Sequence, residues 1–377
     1  MKYFIVAGEA SGDLHGGNLI AALAECDRDA KFMFLGGDKM SAAAGVKPIV
    51  HICDMAFMGF VAVLRNFSAI RDNSIKAQEA IAAFCPDRLI LIDYPGFNLR
   101  FAHWVKKHLP KTEIVYYIAP KLWAWKSYRI HSIKKYVDRM YTIFPFETVW
   151  FGKRGYEVTY VGNPTVDSVT AFTNVNGTTN IATSPLDTAT SFPKRLVVAL
   201  LPGSRLQEIK GCLPRMAQLA ERFTECKFVV AAAPSVDIEV YRQMVGERVE
   251  IVEQSTYQLL SSADAAVVNS GTATLETALF GVPQVVVYNV AGGAFTRLLK
   301  RIFIKTRYVS LVNIIAQRGV IVELLADQFT LYNMTTELRK LLYNAQYRAE
   351  IRKNYVSIAS ELGTAGTAER CARAILS

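Results

Sequence analysis

The segment "VVNSGTATLETALFG", residues 267–281, contains a transition that is typical of one fold class. An apolar run ends at Asn269, small and polar residues follow, and a helical pattern then begins that carries one carboxylate, Glu276. Buried strands that alternate with helices indicate a parallel sheet covered on both faces. The segment therefore predicts an α/β protein with a polar turn between strand and helix.

The same alternation occurs in two halves of the chain, separated by a Thr- and Asn-rich stretch. We expect two Rossmann-like, doubly wound parallel-sheet domains with a cleft between them, because ligands of such sheets bind beyond the C-terminal ends of the strands. The predicted boundaries are a first domain at 1–165, a linker or surface excursion at 166–194, a second domain at 195–345, and C-terminal helices at 346–377 that could pack back on the first domain.

The charge and hydropathy of the 377 residues restrict the cellular locations and the partners that the sequence predicts. The formal net charge is +10, which favours anionic partners such as phosphates, nucleic acids or acidic lipid surfaces. The longest uncharged run, 277–296, is interrupted by glycine and proline, and the N-terminal apolar run is too short for a signal sequence. We expect a cytoplasmic protein. No HExxH-type cluster indicates a metal, and no cofactor is expected.

Two strand ends in the second half carry the chemistry of an anion site. A turn with hydroxyls and backbone N–H groups at the start of a helix favours a diphosphate, and Glu276 one turn later could accept hydrogen bonds from a ribose. A cation after a glycine turn in "LPGSR" could stabilise charge on a departing phosphate. A capped helix and a surface arginine are the alternatives. The candidate residues are Ser204, Arg205, Asn269, Ser270, Gly271, Thr272 and Glu276.

Two strand ends in the first half are candidates for a second substrate. Asp93 follows a very apolar strand, so partial burial would raise its pKa toward the range of a general base. A turn or capping role is the alternative. The "VAGEASGDLHG" turn could form a substrate loop or only cap its helix. The candidates for substrate contact are Gly8, Ser11, Gly12, Asp13 and, as a contact or a cap, Asn98.

Other segments suggest contact with sugars, acyl chains or membranes. Trp125 could form a platform or lie in the core, and Asn313 is expected at the end of a strand that points toward the cleft. Basic stretches at 121–139 and 297–307 could hold an acidic lipid surface or be solvated faces. The apolar 55–64 segment could be core or could dock on acyl chains. Its candidate contact residues are Met55, Phe57, Met58, Phe60, Val61 and Leu64.

Six motifs in order resemble the lipid-A-disaccharide synthase family over nearly the whole chain. They are "GEASGDLHG", "IDYPGFN", "APKLWAW", "LPGSRLQEI", "NSGTATLE" and "YVSLVNI". The resemblance implies a glycosyltransferase of the GT-B architecture, peripheral to the inner membrane of Gram-negative bacteria. It implies functional roles for Asp93, Arg205, Glu276 and Asn313. Gly96 departs from the family pattern, since some relatives carry a second acid there, and Asp93 would have to act without that neighbour.

The implied substrates are UDP-2,3-diacylglucosamine and 2,3-diacylglucosamine 1-phosphate, with an anionic inner-membrane surface as a further partner and no nucleic acid. We expect an inverting, metal-independent transfer in which Asp93 is the base and Arg205 stabilises the leaving UDP. The sequence leaves a homodimer open. The rival hypotheses are another GT-B enzyme, such as a UDP-sugar 2-epimerase, and a non-enzymatic basic protein that binds membranes or nucleic acid.

Overall fold

The protein is described by a computed structural model that covers residues 1–55, 67–177, 195–289 and 307–377. Its chain divides into two compact units, residues 1–164 together with 365–377, and residues 165–364. Each unit is built around one sheet whose strands all pair in parallel. The predicted fold class, two doubly wound parallel-sheet domains, is confirmed.

The first unit contains a seven-stranded sheet in the order β3-β2-β1-β4-β5-β6-β7. Alternate residues of β1 face opposite sides, so that Phe4 and Val6 lie in one hydrophobic cluster while Tyr3 and Ile5 lie in the other. Both faces of the sheet are therefore buried, which explains the continuous apolar strands. The strands are β1 Lys2–Ala7, β2 Lys31–Gly36, β3 Val50–His51, β4 Arg88–Ile92, β5 Glu113–Tyr117, β6 Arg139–Thr142 and β7 Thr159–Tyr160.

Helices connect these strands and cover both faces of the sheet. Their amphipathic patterns bury the side that meets the strands. The α-helices are Ala10–Cys26, Asp38–Ala44, Ile52–Met55, Phe67–Phe84, Pro95–His108, Ile130–Tyr136, Pro145–Gly152 and Thr367–Leu376, with a 3₁₀ turn at Ser127–Arg129.

The second unit has a six-stranded sheet in the order β10-β9-β8-β11-β12-β13. Its strands are β8 Val197–Leu201, β9 Lys227–Ala232, β10 Val249–Glu253, β11 Ala265–Asn269, β12 Gln284–Tyr288 and β13 Glu323–Leu325. Its helices are Pro164–Asn176, Leu206–Ala217, Ile238–Arg242, Thr256–Ser262, Ala273–Leu279, Leu311–Ala316, Leu331–Tyr343 and Ala345–Leu362, with 3₁₀ turns at Gln218–Glu221 and Ala326–Gln328.

The strand order reverses once in each sheet. In the first unit the reversal lies between β1 and β4, and in the second between β8 and β11. Open α/β sheets bind ligands beyond the carboxyl ends of the strands at such a switch point. The candidate Asp93 directly follows β4, and the candidates 202–205 and 270–272 follow β8 and β11.

The predicted linker and C-terminal boundaries differ from the structure. Residues 164–176 form a helix, and the second unit begins at residue 165, so the proposed linker from 166 starts inside regular structure. Phe172 of this helix packs its ring against Tyr257 and Phe280, which explains why the segment folds with the second unit. Residues 178–194 lie outside the described ranges.

Of the predicted C-terminal segment 346–377, only the last helix joins the first unit. The helix Ala345–Leu362 stays with the second unit, where the Gln284 side chain donates to the Tyr355 hydroxyl at 3.2 Å. The helix Thr367–Leu376 buries Cys371 and Ile375 in the core of the first unit. Arg139 donates to the carbonyl oxygens of residues 374 and 375 at 2.8 Å each, where a cation complements the helix C-terminus.

The apolar segment proposed for acyl or membrane contact is described only at its first residue. Met55 is buried in the core of the first unit, so the structure gives that residue a packing role and corrects its assignment to a membrane contact. Phe57, Met58, Phe60, Val61 and Leu64 lie outside the described residues. Within residues 1–55, 67–177, 195–289 and 307–377, none of the helices is long and apolar enough to cross a bilayer.

Candidate functional site: two strand-end sites

A cavity of about 480 Å³ opens at the carboxyl ends of β8, β9 and β11 in the second unit. The cavity brings together the two predicted motifs of this unit, which are far apart in sequence. Its lining includes Gly203, Ser204, Arg205, Glu208, Thr256, Asn269, Ser270, Gly271, Thr272 and Glu276. Every second-domain candidate except Asn313 therefore lies on this one cavity.

Gly203 sets the path of the chain into the cavity. Its φ is +111°, a conformation that favours glycine, and a Cβ placed there would lie 2.6 Å from Glu208 Oε2 and 2.8 Å from Asn269 Nδ2. The turn leads through Ser204 into Arg205, which precedes the helix Leu206–Ala217. A larger residue at position 203 would push this turn away from β11.

Arg205 carries a cation that is available to a ligand. Its side chain is 60% exposed, and its Nη1 lies 3.9 Å from Glu208 Oε1, at the limit of an ion pair. Such exposed pairs contribute little to stability. Arg205 can therefore turn toward an anion in the cavity at small cost to the fold.

The 269–272 turn offers fewer free donors than its sequence suggests. The Ser270 amide donates to Val287 O at 3.0 Å and its hydroxyl donates to Val309 O at 2.8 Å, so Ser270 holds the loop at 309. Asn269 is buried and its Oδ1 accepts from Cys212 Sγ at 3.5 Å. Among the described residues, none accepts a hydrogen bond from the amides of Gly271 and Thr272. These two amides are the donors that a phosphate could use.

Glu276 is held at the cavity by a tyrosine that the sequence motifs did not indicate. Tyr257 Oη donates to Glu276 Oε1 at 2.9 Å, and the Tyr257 ring packs against Phe172 and Phe280. Burial raises the pKa of Glu276, and the hydrogen bond from Tyr257 partly opposes that effect. The only sequence signal was that Tyr257 follows β10, whose end lies on the same edge of the sheet.

Asn313 has a structural role instead of the predicted substrate contact. It lies in the helix Leu311–Ala316, not at a strand end, and it is buried. Its Nδ2 donates to Ile321 O at 2.9 Å and to Glu323 Oε1 at 2.8 Å, while its Oδ1 accepts from the amides of Val320 and Ile321 at 2.8 and 3.0 Å. The amide thus has no hydrogen-bonding position left for a substrate.

Asp93 lies on a strained turn after β4 in the first unit. Asp93 and Tyr94 both have left-handed φ values, +42° and +44°. Non-glycine residues in this region cost roughly 1–3 kcal/mol each and are found at functional sites. Asn98 and Tyr116 stabilise the turn, since Asn98 Nδ2 donates to the carbonyls of Ile92 and Asp93 at 3.1 and 2.7 Å and Tyr116 Oη donates to the Asp93 carbonyl. Asn98 therefore holds the backbone of the turn, and its predicted substrate contact stays a prediction.

The surroundings of the Asp93 carboxylate contain two charges that the sequence motifs did not connect with it. Burial raises the pKa of Asp93, the Lys121 cation opposes this, and the Glu9 carboxylate adds to it. Glu9 follows β1 and Lys121 follows β5, the two neighbours of β4 in the sheet. Glu9 thus places a second carboxylate close enough to raise the pKa of Asp93, and adjacency of strand ends was the signal that could have found it.

The glycines and the aspartate of the "GEASGD" turn serve packing. A Cβ on Gly8 would lie 2.4 Å from the Tyr94 ring, and one on Gly12 would lie 3.3 Å from Ala7 Cβ. The Asp13 carboxylate is buried and accepts from the amides of Gly37, Lys39 and Met40 at 2.7, 3.0 and 3.0 Å, so it caps the next helix, Asp38–Ala44. Gly8, Gly12 and Asp13 thus have packing and capping roles, and Ser11 is exposed; the substrate contacts predicted for these four residues stay predictions.

The two tryptophans of "APKLWAW" separate into a half-buried and an exposed residue. Trp123 Nε1 donates to Glu147 Oε1 at 2.9 Å, and burial raises the pKa of Glu147 to about 7. Trp125 is 55% exposed, with Lys126 Nζ 4.7 Å from its ring centroid. Glu147 thus anchors the loop that carries Lys121, and Trp125 is the tryptophan that a ligand can reach.

The two sheets and the strand-end cavity define a class of protein, the two-Rossmann GT-B proteins. A UDP-GlcNAc 2-epimerase from Neisseria meningitidis, solved with UDP-GlcNAc, superposes with a TM-score of 0.67 at 12% identity and full coverage of both chains. The calicheamicin glycosyltransferase CalG4 superposes with a TM-score of 0.55 at 15% identity, covering 100% of this chain and 97% of its own. At these identities the likeness concerns the fold.

Sequence comparison places the chain within this class. The family described as "Lipid-A-disaccharide synthetase" matches over residues 3–375. Lipid-A-disaccharide synthases from Geobacter sulfurreducens and Myxococcus xanthus are 35% and 36% identical, over 100% of this chain and 96% and 97% of their own lengths. The chain belongs to the lipid-A-disaccharide synthase family, which consists of glycosyltransferases of lipid A biosynthesis.

Proposed function

We propose that the protein transfers the sugar of UDP-2,3-diacylglucosamine to the 6-hydroxyl of 2,3-diacylglucosamine 1-phosphate with inversion. The products are a β-1,6-linked disaccharide 1-phosphate and UDP. The family membership supports this substrate pair. The single structural observation that carries the proposal is the cavity that unites Arg205, the 271–272 amides and Glu276.

In this proposal, the UDP group would occupy the cavity of the second unit. Its diphosphate would accept from the Gly271 and Thr272 amides and pair with Arg205, and its ribose would donate to the free oxygen of Glu276. The helix Ala273–Leu279 has only seven residues, so the local donors and the cation would contribute more than the helix dipole. The Neisseria meningitidis epimerase, which shares the fold, was solved with UDP-GlcNAc bound, a nucleotide sugar of the same chemical class.

The acceptor would be activated in the first unit. Asp93 would take the proton of the 6-hydroxyl, directly or through a water, and the oxygen would attack the anomeric carbon opposite UDP. The bond between that carbon and the UDP oxygen breaks, and UDP leaves with the electron pair while Arg205 stabilises its charge. The raised pKa of Asp93 suits a base, because a carboxylate with a higher pKa binds the proton more strongly.

Membrane association belongs to the same proposal. Both substrates carry acyl chains, and the net charge of +10 favours an acidic lipid surface. A peripheral position on the cytoplasmic face of the inner membrane follows. The acyl-contact role of the 57–64 segment remains a proposal, which Met58→Ser with Phe60→Ser would test by loss of vesicle binding.

The deciding experiment is incubation of the protein with both diacylated substrates and detection of UDP and the disaccharide. Calorimetry with UDP tests the cavity separately. Because the fold is shared with 2-epimerases, UDP-GlcNAc alone is the matched control substrate. Conversion of UDP-GlcNAc to its epimer, without disaccharide from the lipid substrates, would overturn the proposal in favour of an epimerase.

A further inference from the structure

A second cavity, of about 570 Å³, lies in the first unit between the helices Phe67–Phe84 and Pro95–His108. Cavities of roughly 300–1,000 Å³ are the size that small-molecule ligands occupy. None of its described lining residues belongs to the two strand-end sites. This cavity between the two helices is the helix groove.

The floor of the helix groove is aromatic. Phe97, Phe101 and Trp104 follow one another at helical spacing, with ring centroids 5.6 Å apart between the first two and 6.4 Å between the last two. Phe101 is buried, whereas Phe97 and Trp104 are partly exposed, and Ile75 of the opposite helix is 40% exposed. The floor therefore presents apolar surface that a ligand can cover.

The rim of the helix groove is cationic. Arg71, Arg100 and Lys107 line it, together with two histidines, and no acidic side chain is among the described lining residues. Asp72 and Glu79 belong to the same helix as Arg71 but do not line the groove. Within the described residues, none of the three cations forms an ion pair, so their charge is not neutralised by the protein.

We propose that the helix groove binds an acidic phospholipid of the membrane surface, with the phosphate at the cationic rim and the start of an acyl chain on the aromatic floor. Charge complementarity selects the anionic head group, and long cationic side chains that pack on apolar surface suit the boundary between head group and acyl chain. A free phosphate would leave the apolar floor uncovered, and Phe101 is too buried for a nucleobase to stack on it. The inference rests on the proposed membrane association and specifies its lipid.

The first test measures binding to vesicles of phosphatidylcholine with and without phosphatidylglycerol. The double variant Arg100→Glu with Lys107→Glu should bind the anionic vesicles at least about 30-fold more weakly than the wild type, because two cations near the lipid surface are replaced by anions. The matched control is Arg28→Glu with Lys153→Glu, which makes the same charge change at exposed residues of the same unit outside the groove. An equal loss in both double variants would mean that only the net charge of the protein determines vesicle binding, and it would overturn the assignment of the helix groove as a phospholipid site.

The second test uses phosphatidylglycerol brominated in its acyl chains, which quenches nearby tryptophan fluorescence. Trp104→Phe should remove most of the quenching, whereas Trp150→Phe should retain it, because Trp150 lies outside the groove. Quenching that survives in Trp104→Phe would overturn the acyl position. Competition of vesicle binding by single-stranded RNA, or by millimolar inorganic phosphate, would assign the groove to those ligands instead.

A third measurement separates this inference from the proposed function. With substrates dispersed in detergent, UDP release by Arg100→Glu with Lys107→Glu should equal that of the wild type. Parallel loss of UDP release and vesicle binding would place the groove in the acceptor site and overturn the phospholipid assignment. If the wild type releases no UDP, while Arg100→Glu with Lys107→Glu loses vesicle binding and the control double variant does not, the phospholipid assignment is supported and the transferase proposal is wrong.

Discussion

The two strand-end sites occupy the same topological position and use their polar residues differently. In the second unit, Arg205, Glu276 and the 271–272 amides face an open cavity. In the first unit, Asp13 and Asn98 are buried and hold the backbone, and Asp93 is the predicted residue whose carboxylate keeps a partly exposed position. One site is an open cavity lined by polar groups, and the other is a carboxylate whose backbone is held by buried side chains.

This difference follows from the chemistry that each site would perform. A diphosphate spreads its charge over many oxygens, so several exposed donors bind it best. A general base needs one carboxylate with a controlled orientation and pKa, and surrounding residues must fix its backbone. The strained turn at Asp93 and Tyr94 is held in this way by Asn98 and Tyr116.

The largest effect is expected for Asp93→Asn. This change keeps the shape of the side chain and removes the base, so kcat should fall by roughly 10²–10⁴-fold. UDP affinity, measured by calorimetry, and the unfolding midpoint should stay unchanged. Asp29→Asn, at an exposed aspartate of the same unit, is the matched control. Near-normal turnover by Asp93→Asn would contradict the role of Asp93 as the base, and with it the proposed difference between the two strand-end sites.

Arg205→Ala should lower kcat by about 10²–10³-fold, which corresponds to about 2.7–4 kcal/mol of transition-state stabilisation. Its side chain is 60% exposed, so the stability of the fold should not change. Rates of UDP release and urea unfolding midpoints check the two expectations. Arg242→Ala, at another exposed arginine of the same unit, is the control, and equal kinetic losses in both variants would contradict a specific role.

Asp13→Ala tests the assignment of a structural role in the first unit. The variant removes the carboxylate that accepts hydrogen bonds from the amides of Gly37, Lys39 and Met40. Because these donors are left without an acceptor, the free energy of unfolding should fall by roughly 3 kcal/mol. The urea midpoint should fall while UDP affinity stays constant. Unchanged stability with weaker substrate binding would restore the interpretation of Asp13 as a substrate ligand.

Glu147→Gln should flatten the pH dependence of stability. Burial raises the pKa of Glu147 from its usual 4.5 to about 7, so the folded chain binds this proton more tightly than the unfolded chain. The proton on Glu147 therefore stabilises the fold. Its contribution to the free energy of unfolding is fully present below pH 4.5 and is lost as the pH rises through 7, a decrease of about 3 kcal/mol. Urea midpoints across this range should show a smaller decrease for Glu147→Gln than for the wild type, while Glu25→Gln should match the wild type.

The smallest effect is expected for Tyr257→Phe. Loss of the hydrogen bond to Glu276 should weaken UDP binding by about 1 kcal/mol, roughly fivefold. Because the Tyr257 hydroxyl lowers the pKa of Glu276 against the effect of burial, the acid limb of UDP affinity should move to higher pH. Calorimetry over a pH series measures both changes. A profile identical to that of Tyr332→Phe, at an exposed tyrosine of the same unit, would show that Tyr257 does not position Glu276.

The strands and the cavity were predictable because their signals are local. A short run of apolar strand, glycine turn and helix specifies a parallel sheet, and the motifs at 203–205 and 269–276 lie at strand ends that topology brings together. Tyr257 and Glu9 were not found, and Lys121 was not connected with Asp93, since each contact depends on which strands are neighbours. Asn313 was misassigned because a strand was predicted where Ser310 instead caps a short helix.

The sequence by itself determined the two parallel sheets, the family and the position of the polar turns at strand ends, because hydrophobic periodicity and glycine placement act over a few residues. Only the tertiary structure decided which of those polar residues line an open cavity and which are buried. Asp13, Asn98 and Asn313 point into the fold, where buried amides and carbonyls require partners, and Arg205 points to solvent because its neighbours hold it only weakly. That distinction depends on contacts between segments far apart in the chain, which no local pattern records.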